Sequence, residues 1–477
     1  MRAAAERWWA PAYGALLVLG LTWPFLVPGE AFALRDMVVF DSMSLTRASL
    51  GWGDLAARNV PQDALLGILP KPVVFLRMFM VAAAACGAWA GYRLGRSPFG
   101  RAAAMTVAVW NPFVVERLLQ GQWSLAAAAW LLPLVALGAH PMSGLAHWLA
   151  SLTPTGALAA AAFARGRRGL VVTALSCAPW VVAGVFASAP GTSSAAAAAA
   201  FAPRAEKWVG TLGSLLGLGG IWNGQAVPAS RFSGCALFGI ALFALLALVW
   251  RAVPRRWLLL AAAGFAVALA SWAGLTAPLV QHVPGAGLLR DGQKWLILAV
   301  PAFVAAAGAL DRGRALAAAA FALLQVPDAP VAVAALTPTS VEIPAVDHRG
   351  RDVFFESRPA LMRIDSHPVA DPAPKAMNVV ESGALVVDGV MVDPPSQRWA
   401  AAQAALAESA DPARLRELGI GVVVHADGSV TFTGAPAQPM PAVGIALFGL
   451  WCVVPLVLCV GNHNRSRNGP FQRLSRN

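Results

Sequence analysis

Four carboxylates and a matching set of cations recur beside apolar runs of this chain. Asp36 and Asp41 stand five apart in ALRDMVVFDSMS (33–44), and Glu116 and Arg117 lie in WNPFVVERLLQGQW (110–123). Asn223 and Arg231 lie in GGIWNGQAVPASR (219–231), and Arg290, Asp291 and Lys294 in LLRDGQKW (288–295). A carboxylate takes a proton from a hydroxyl. Arg and Lys neutralise phosphate, the first through a planar fork and the second as a point charge. Together these residue types suit transfer of a group from a phosphate-bearing donor to a hydroxyl. Nucleophilic triads are excluded in these clusters, because His282 is the only histidine near them. The seven histidines form no HxxxH or HExxH, and Cys86, Cys177, Cys235, Cys452 and Cys459 sit singly in apolar runs. No metal site or disulfide is therefore expected, and the cysteines read as small apolar fillers.

The stretch 110–123 is the one the other clusters are read against. An apolar run from about 102 carries Glu116 and Arg117 to the edge of a membrane or into it. Ionisable groups at that depth usually face a protein interior or a water-filled cavity. The plain alternative is a helix end that extends its charges into the lipid headgroups. Glu116 and Gln120 are four apart and share a helix face. Pro112 is placed to bend the helix just before them.

The elements that must position these groups are membrane spans. The chain has 477 residues, 58% hydrophobic and 13% charged, with mean hydropathy +0.61. That composition excludes a soluble globular protein and reads as a polytopic membrane protein. The net charge of +12 comes from Arg in short loops between apolar runs, which fits the positive-inside rule and not nucleic-acid binding. The basic N-terminus leads into an uncleaved first span at about 10–26. Residues 27–70 read as a first outer loop with short amphipathic helices lying on the membrane surface.

Further spans are expected at about 72–94, 102–119 and 123–139. The piece 144–164 is broken by SLTPTG (151–156) and followed by Arg165, Arg167 and Arg168. A re-entrant helical hairpin keeps those arginines cytoplasmic, with its irregular tip against protein. Spans follow at about 170–188, 233–252, 257–279, 295–310 and 314–335. Residues 337–440 hold 13 of the 24 acidic residues and no span-length apolar run. Period-two pieces there, ALVVDGVMV and GVVVHADGSVTFTG, read as strands, and RWAAAQAALAESADPARLRELG reads as a helix ending at Gly419. The expectation is a small outer α+β domain at 337–440, a last span at 441–460 and a basic cytoplasmic tail at 461–477. The whole is an all-α polytopic fold of ten full spans plus one re-entrant piece, with the transmembrane domain at 1–336 and both termini cytoplasmic.

On this topology the four polar clusters share the outer face and line an outward-open cavity of lipid-headgroup size. Glycosyl transfer from a polyprenyl-phospho-sugar is the chemistry in outline. Trp52, Trp123, Trp222 and Trp295 are candidates to stack on sugar rings, or interface-belt tryptophans.

A first outer loop that opens with an Asp soon after span one and carries surface helices resembles the family C fold of integral-membrane glycosyltransferases. The runs RDMV, WNPFVVERLLQGQW, GGIWN and LLRDGQKW look more narrowly like a group of actinobacterial polytopic proteins thought to share that fold. The resemblance covers about 1–336 and, more loosely, 337–460. It implies a polyprenyl-phosphate sugar donor, an envelope glycan or lipid acceptor, and a bacterial plasma membrane. It also implies an acidic base in the first outer loop, which by position is Asp36, with Asp41 as competitor. Glu116 would position acceptor or base, and Arg290 and Lys294 would hold the phosphate with Arg231 in support. Arg117, Gln122, Asn223 and Asp291 complete the expected binding set. The DxD or ExD pair frequent in such enzymes, which would take a divalent metal, is replaced here by DMVVFD. The other readings are a non-catalytic protein of the same fold handling an envelope glycolipid, and a transporter.

Overall fold

A computed structural model describes residues 2–138, 142–186, 194–387, 389–408 and 412–467. The chain is mostly helical, with a small strand-containing region near its C-terminus. Among the described residues five helices are long and apolar enough to cross a membrane: Trp8–Leu26, Pro72–Leu94, Pro98–Leu119, Gly166–Phe186 and Arg312–Leu336. Shorter apolar helices occupy Trp123–Leu137, Pro154–Phe163, Ala236–Ala247, Gln293–Gly308 and Ala442–Leu456. The side chains of Cys86, Cys177, Cys235 and Cys452 are free thiols, half-buried among these helices. Residues 468–477 of the expected basic tail lie outside the described residues.

Pro98–Leu119 is the central helix, 94% buried within the protein, whereas Gly166–Phe186 is 22% buried and turns Leu170, Val185 and Phe186 outward. Pro112 breaks the central helix as expected. Proline lacks an N–H and disfavours helical geometry in the residue before it. Asn111 is accordingly extended (φ −147°, ψ 154°), and its Oδ1 accepts from Val114 N at 3.0 Å to start the second piece, Pro112–Leu119.

Residues 27–70, expected as a first outer loop, depart from expectation. Instead of surface helices alone the segment opens with a buried hairpin, β1 (Ala31–Leu34) and β2 (Met37–Phe40), joined by the two-residue turn Arg35-Asp36. Both strands are buried along their whole length. Two continuous four-residue apolar runs satisfy their backbone groups by pairing with each other, so they can enter the interior. Arg35 has φ +49°, the positive value that two-residue hairpin turns favour. The expected short helical pieces appear in this loop as Gln62–Ile68 and a 3₁₀ turn at Ala48–Leu50.

The hairpin tip abuts the end of the central helix. Gly121 there has φ +82°, and a Cβ on it would stand 2.3 Å from both Leu34 O and Met37 N. Only glycine allows that approach.

The segment 143–163 is broken as expected into Ser143–Ala150 and Pro154–Phe163. The last helix braces the break: Trp451 Nε1 donates to Ser151 Oγ (2.9 Å), and Trp148 Nε1 donates to Trp451 O (2.8 Å).

Near the C-terminus lie β3 (Asp352–Phe355), β4 (Leu361–Ile364), β5 (His367–Ala370), β6 (Leu385–Val387), β7 (Val390–Asp393), β8 (Ile420–Val424) and β9 (Val430–Phe432). A mixed three-stranded sheet has the order β3-β8-β9, with β3 parallel to β8, and β4–β5 and β6–β7 form hairpins. The two expected strand pieces are β6–β7 and β8–β9. The expected single helix appears as Gln397–Glu408 and Pro412–Glu417.

This region is stitched to residues 27–70. Arg35 N donates to Pro368 O (2.7 Å), and Ala370 N to Arg35 O (2.9 Å). Lys375 pairs with Asp63 (3.1 Å), Arg398 with Asp54 (3.6 Å), and Arg47 with Asp352.

Candidate functional site

The hairpin turn sets the site. Asp36 N donates to Gln120 O at 3.2 Å, and the Arg35 guanidinium donates to Leu119 O (2.5 Å) and Gln225 O (2.8 Å). These bonds hold the tip against the end of Pro112–Leu119. The Asp36 side chain remains exposed, and its Oδ2 accepts from Gln122 Nε2 at 3.2 Å and Gln120 Nε2 at 3.4 Å. Gln120 Oε1 in turn accepts from Asn223 Nδ2 at 2.7 Å. The expected Asp36, Gln122 and Asn223 are thus brought together, with Gln120 as the link.

Protein crowds Asp36 on most sides, and that burial pushes its carboxyl above the usual aspartate range. The amides of Gln120 and Gln122 and the charges of Arg58 and Lys375 oppose the shift.

Arg58, from the first outer loop, sits between Asp36 and a second group of charges. Its electrostatic neighbours are Arg290, Asp393 and Asp36. Lys294 has Asp291, Arg117, Arg290 and Arg58 as its charged neighbours. Lys294 N donates to Asp291 Oδ1 (3.3 Å), but among the described residues the ammonium has no ion-pair partner. Arg58 is exposed, and the ion pair found for it is a long one of 3.8 Å to Asp393. Two cations with incomplete ion pairing thus lie in the electrostatic neighbourhood of an exposed carboxylate, with Arg58 as the common neighbour.

Below these groups lies a saturated layer. Arg117 is fully buried and pairs with Asp291 (Nη1–Oδ2 2.5 Å, Nη2–Oδ1 3.0 Å), with Gln122 Oε1 (2.7 Å) and with Gln293 Oε1. Burial opposes the Asp291 charge, but Arg117 outweighs it and holds this carboxyl below its ordinary range. Arg117 and Asp291 fix Gln122 and Lys294 from beneath.

Deeper still, Glu116 is 0% and Arg231 1% exposed. Glu116 accepts from Ile221 N (3.0 Å) and Gly220 N (3.3 Å), and Arg231 is forked onto Glu206 through Nε (3.0 Å) and Nη2. Unpaired buried charges are too costly to hold in reserve, so each has been given a partner. This corrects the expectation that Glu116 positions an acceptor and that Arg231 supports a phosphate: both organise the interior. Asp41 is also removed as a rival base. It sits at the far end of β2, roughly 16 Å of extended chain from Asp36. There its Oδ1 accepts from Val73 N (3.2 Å) and its Oδ2 pairs with Lys71 (3.0 Å).

Arg290 has a more constrained place than expected. It stacks on Phe201 (4.0 Å to the ring centroid) and donates to both Asp393 oxygens (2.8 and 2.7 Å). Of the candidate tryptophans, Trp123 is buried edge-on to Phe79 and Trp222 packs against Phe201. Trp123 is 1% exposed, whereas Trp222 is half-buried. Among the described residues no three His, Cys, Asp or Glu side chains stand as a metal-ligand set.

Sequence reasoning missed Arg58, Lys375 and Asp393 as neighbours of the site. The only signal for Arg58 was its membership of the loop that carries Asp36. Comparison with known proteins finds no matching family model, no matching curated protein and no matching solved structure.

Proposed function

We propose that the chain is a membrane-embedded glycosyltransferase of the family C kind, taking a sugar from a polyprenyl-phosphate donor to an envelope glycan or lipid on the outer face of a bacterial plasma membrane. The observation that carries this reading is the exposed Asp36 carboxylate at the hairpin turn, with Arg58 a charged neighbour of both Asp36 and Lys294. Asp36 takes the proton of the acceptor hydroxyl. The hydroxyl oxygen attacks the anomeric carbon, and the bond from that carbon to the phosphate oxygen breaks. The departing phosphate keeps the electron pair, and Lys294 and Arg58 neutralise it. Arg290 is tied to β7 through Asp393.

The proposed topology is ten spans plus the broken piece at 143–163, both termini cytoplasmic and 337–440 extracytoplasmic. The five long apolar helices, four of the shorter ones and the helix Arg255–Trp272 supply material for the ten spans, and Pro154–Phe163 belongs to the broken piece. The shorter helices span with the help of flanking non-helical or 3₁₀ turns, as at Gln293–Ala299.

The test is turnover of polyprenyl-phospho-sugars by wild type and Asp36→Asn, normalised to folded protein. Loss of a general base costs about 10²–10⁴-fold in rate. Equal normalised turnover in the variant removes Asp36 from the base role. Binding of such donors without turnover by wild type favours the non-catalytic reading.

A further inference from the structure

A recess lies away from Asp36, where residues 27–70, the 337–440 region and the start of the last helix meet. It is a cleft of about 600 Å³, within the usual range for small-molecule sites. Trp52, Asn378, Gln397, Gln438, Arg47 and Arg398 are among the residues that line it.

The charge in the cleft is already spent. Arg47 and Arg398 both bond Asp352 Oδ2, Arg398 at 2.6 Å, and Arg398 also faces Asp54 at 3.6 Å. The remaining charge on the rim is the exposed Glu417. A phosphate or other anion thus finds no free cation here, in contrast to the surroundings of Lys294.

The neutral hydrogen-bonding groups are not spent. Asn378 Oδ1 accepts from Arg47 N (2.9 Å), but among the described residues the Asn378 side-chain N–H groups have no partner. The same holds for the amides of Gln397 and Gln438. Each amide both donates and accepts. A hydroxyl has the same dual capacity, so a ligand rich in hydroxyls can match these groups one to one. Trp52 adds an apolar aromatic surface for the C–H face of such a ligand, while its ring edge rests where the last helix has Gly444.

We propose that this cleft is a binding site for a neutral, hydroxyl-rich ligand, a glycan chain, distinct from the Asp36 site. Its rim includes Pro441, one residue before the last helix begins. A bound chain is thereby tethered beside the membrane and within reach of the outer face.

The test uses full-length protein in nanodiscs against immobilised arabinan, galactan, mannan and glucan fragments, with inorganic phosphate as the anionic arm. Wild type should retain at least one neutral fragment. The double variant Gln397→Ala/Gln438→Ala should bind it about tenfold more weakly, as expected for two lost hydrogen bonds. Both glutamines lie outside the packed core, so this variant folds where a change at Trp52 risks the contact with the last helix. Asp36→Asn should bind like wild type, which separates this site from the transferase reading. Retention of no neutral fragment, equal retention by the double variant, or competition by inorganic phosphate overturns the proposal.

Discussion

Arg290 donates from one Nη1 to both carboxylate oxygens of Asp393, at 2.8 and 2.7 Å, across 103 positions of sequence. The bond joins the loop before a short apolar helix to Asp393, the last residue of β7. Asp393 also faces Arg58 at 3.8 Å, so one carboxylate ties both arginines to this strand.

Breaking that bond should loosen this strand. Asp393→Ala leaves two arginines without their carboxylate, whereas Arg290→Ala leaves Arg58 to pair with it. A double-mutant cycle for Arg290 and Asp393 should give a coupling of about 0.5–3 kcal/mol. Hydrogen exchange should rise in 385–393 for either single variant. Additive effects with unchanged exchange show that the pair does not hold the strand.

Asp36 should set the acid limb of activity. The base must be deprotonated, and burial has raised its carboxyl above the usual range. Rate should therefore fall on acidification at a pH higher than an ordinary aspartate dictates. Removing the amide donors that oppose the shift, with Gln120→Leu or Gln122→Leu, should move the limb further up. A pH–rate profile that both variants leave in place would argue against Asp36 as the titrating group.

Lys294→Ala should act on the donor. Loss of one charge-assisted contact to phosphate weakens binding by roughly ten- to hundredfold. The effect should appear in KM for the phospho-sugar and leave KM for the acceptor close to wild type. Lys294→Arg should restore part of it. A change confined to acceptor KM would place the phosphate elsewhere.

Glu381 makes stability depend on pH. Burial first, then Asp54, Asp371 and Asp63, push its carboxyl up to about 8 from an ordinary 4.5. The folded state then binds the proton more tightly than the unfolded state. Its stabilising share is present below about pH 4.5 and is lost as pH rises through about 8. Glu381→Gln keeps the neutral form, so its melting temperature should exceed that of wild type at pH 8.5, with the gap closing toward pH 4.5. A gap that widens on acidification contradicts this assignment.

Cysteine labelling in intact cells tests the topology. Single cysteines in place of Glu342 and Asp427 should react with an impermeant reagent. Those at Arg165 and Arg255 should react only after permeabilisation. Outside labelling of Arg165→Cys would turn 143–163 into a full span.

What was legible in the sequence was local. Pro112 and Asn111 break and cap a helix through their own backbone chemistry, and SLTPTG ends one helix and starts another in the same way. Apolar runs announced helices long and apolar enough to cross a membrane, because hydrocarbon leaves a backbone no partners outside its own helix. Asp36 stood out as a carboxylate soon after the first span. The hairpin around it was not legible, because AFAL and MVVF are apolar runs too short to distinguish strand from helix. Partners were not legible either. Whether Arg231 met a substrate or Glu206, and whether Asp41 faced the site or capped Pro72–Leu94, depended on which charges folding brought within a few ångströms. Only the tertiary structure decided that, because burial demands a partner for each charge and the nearest available one is distant in the chain. Arg58, Arg290 and Asp393 come from three separate segments, and the close contact at Gly121 that seats the hairpin tip is what sets Asp36 near them.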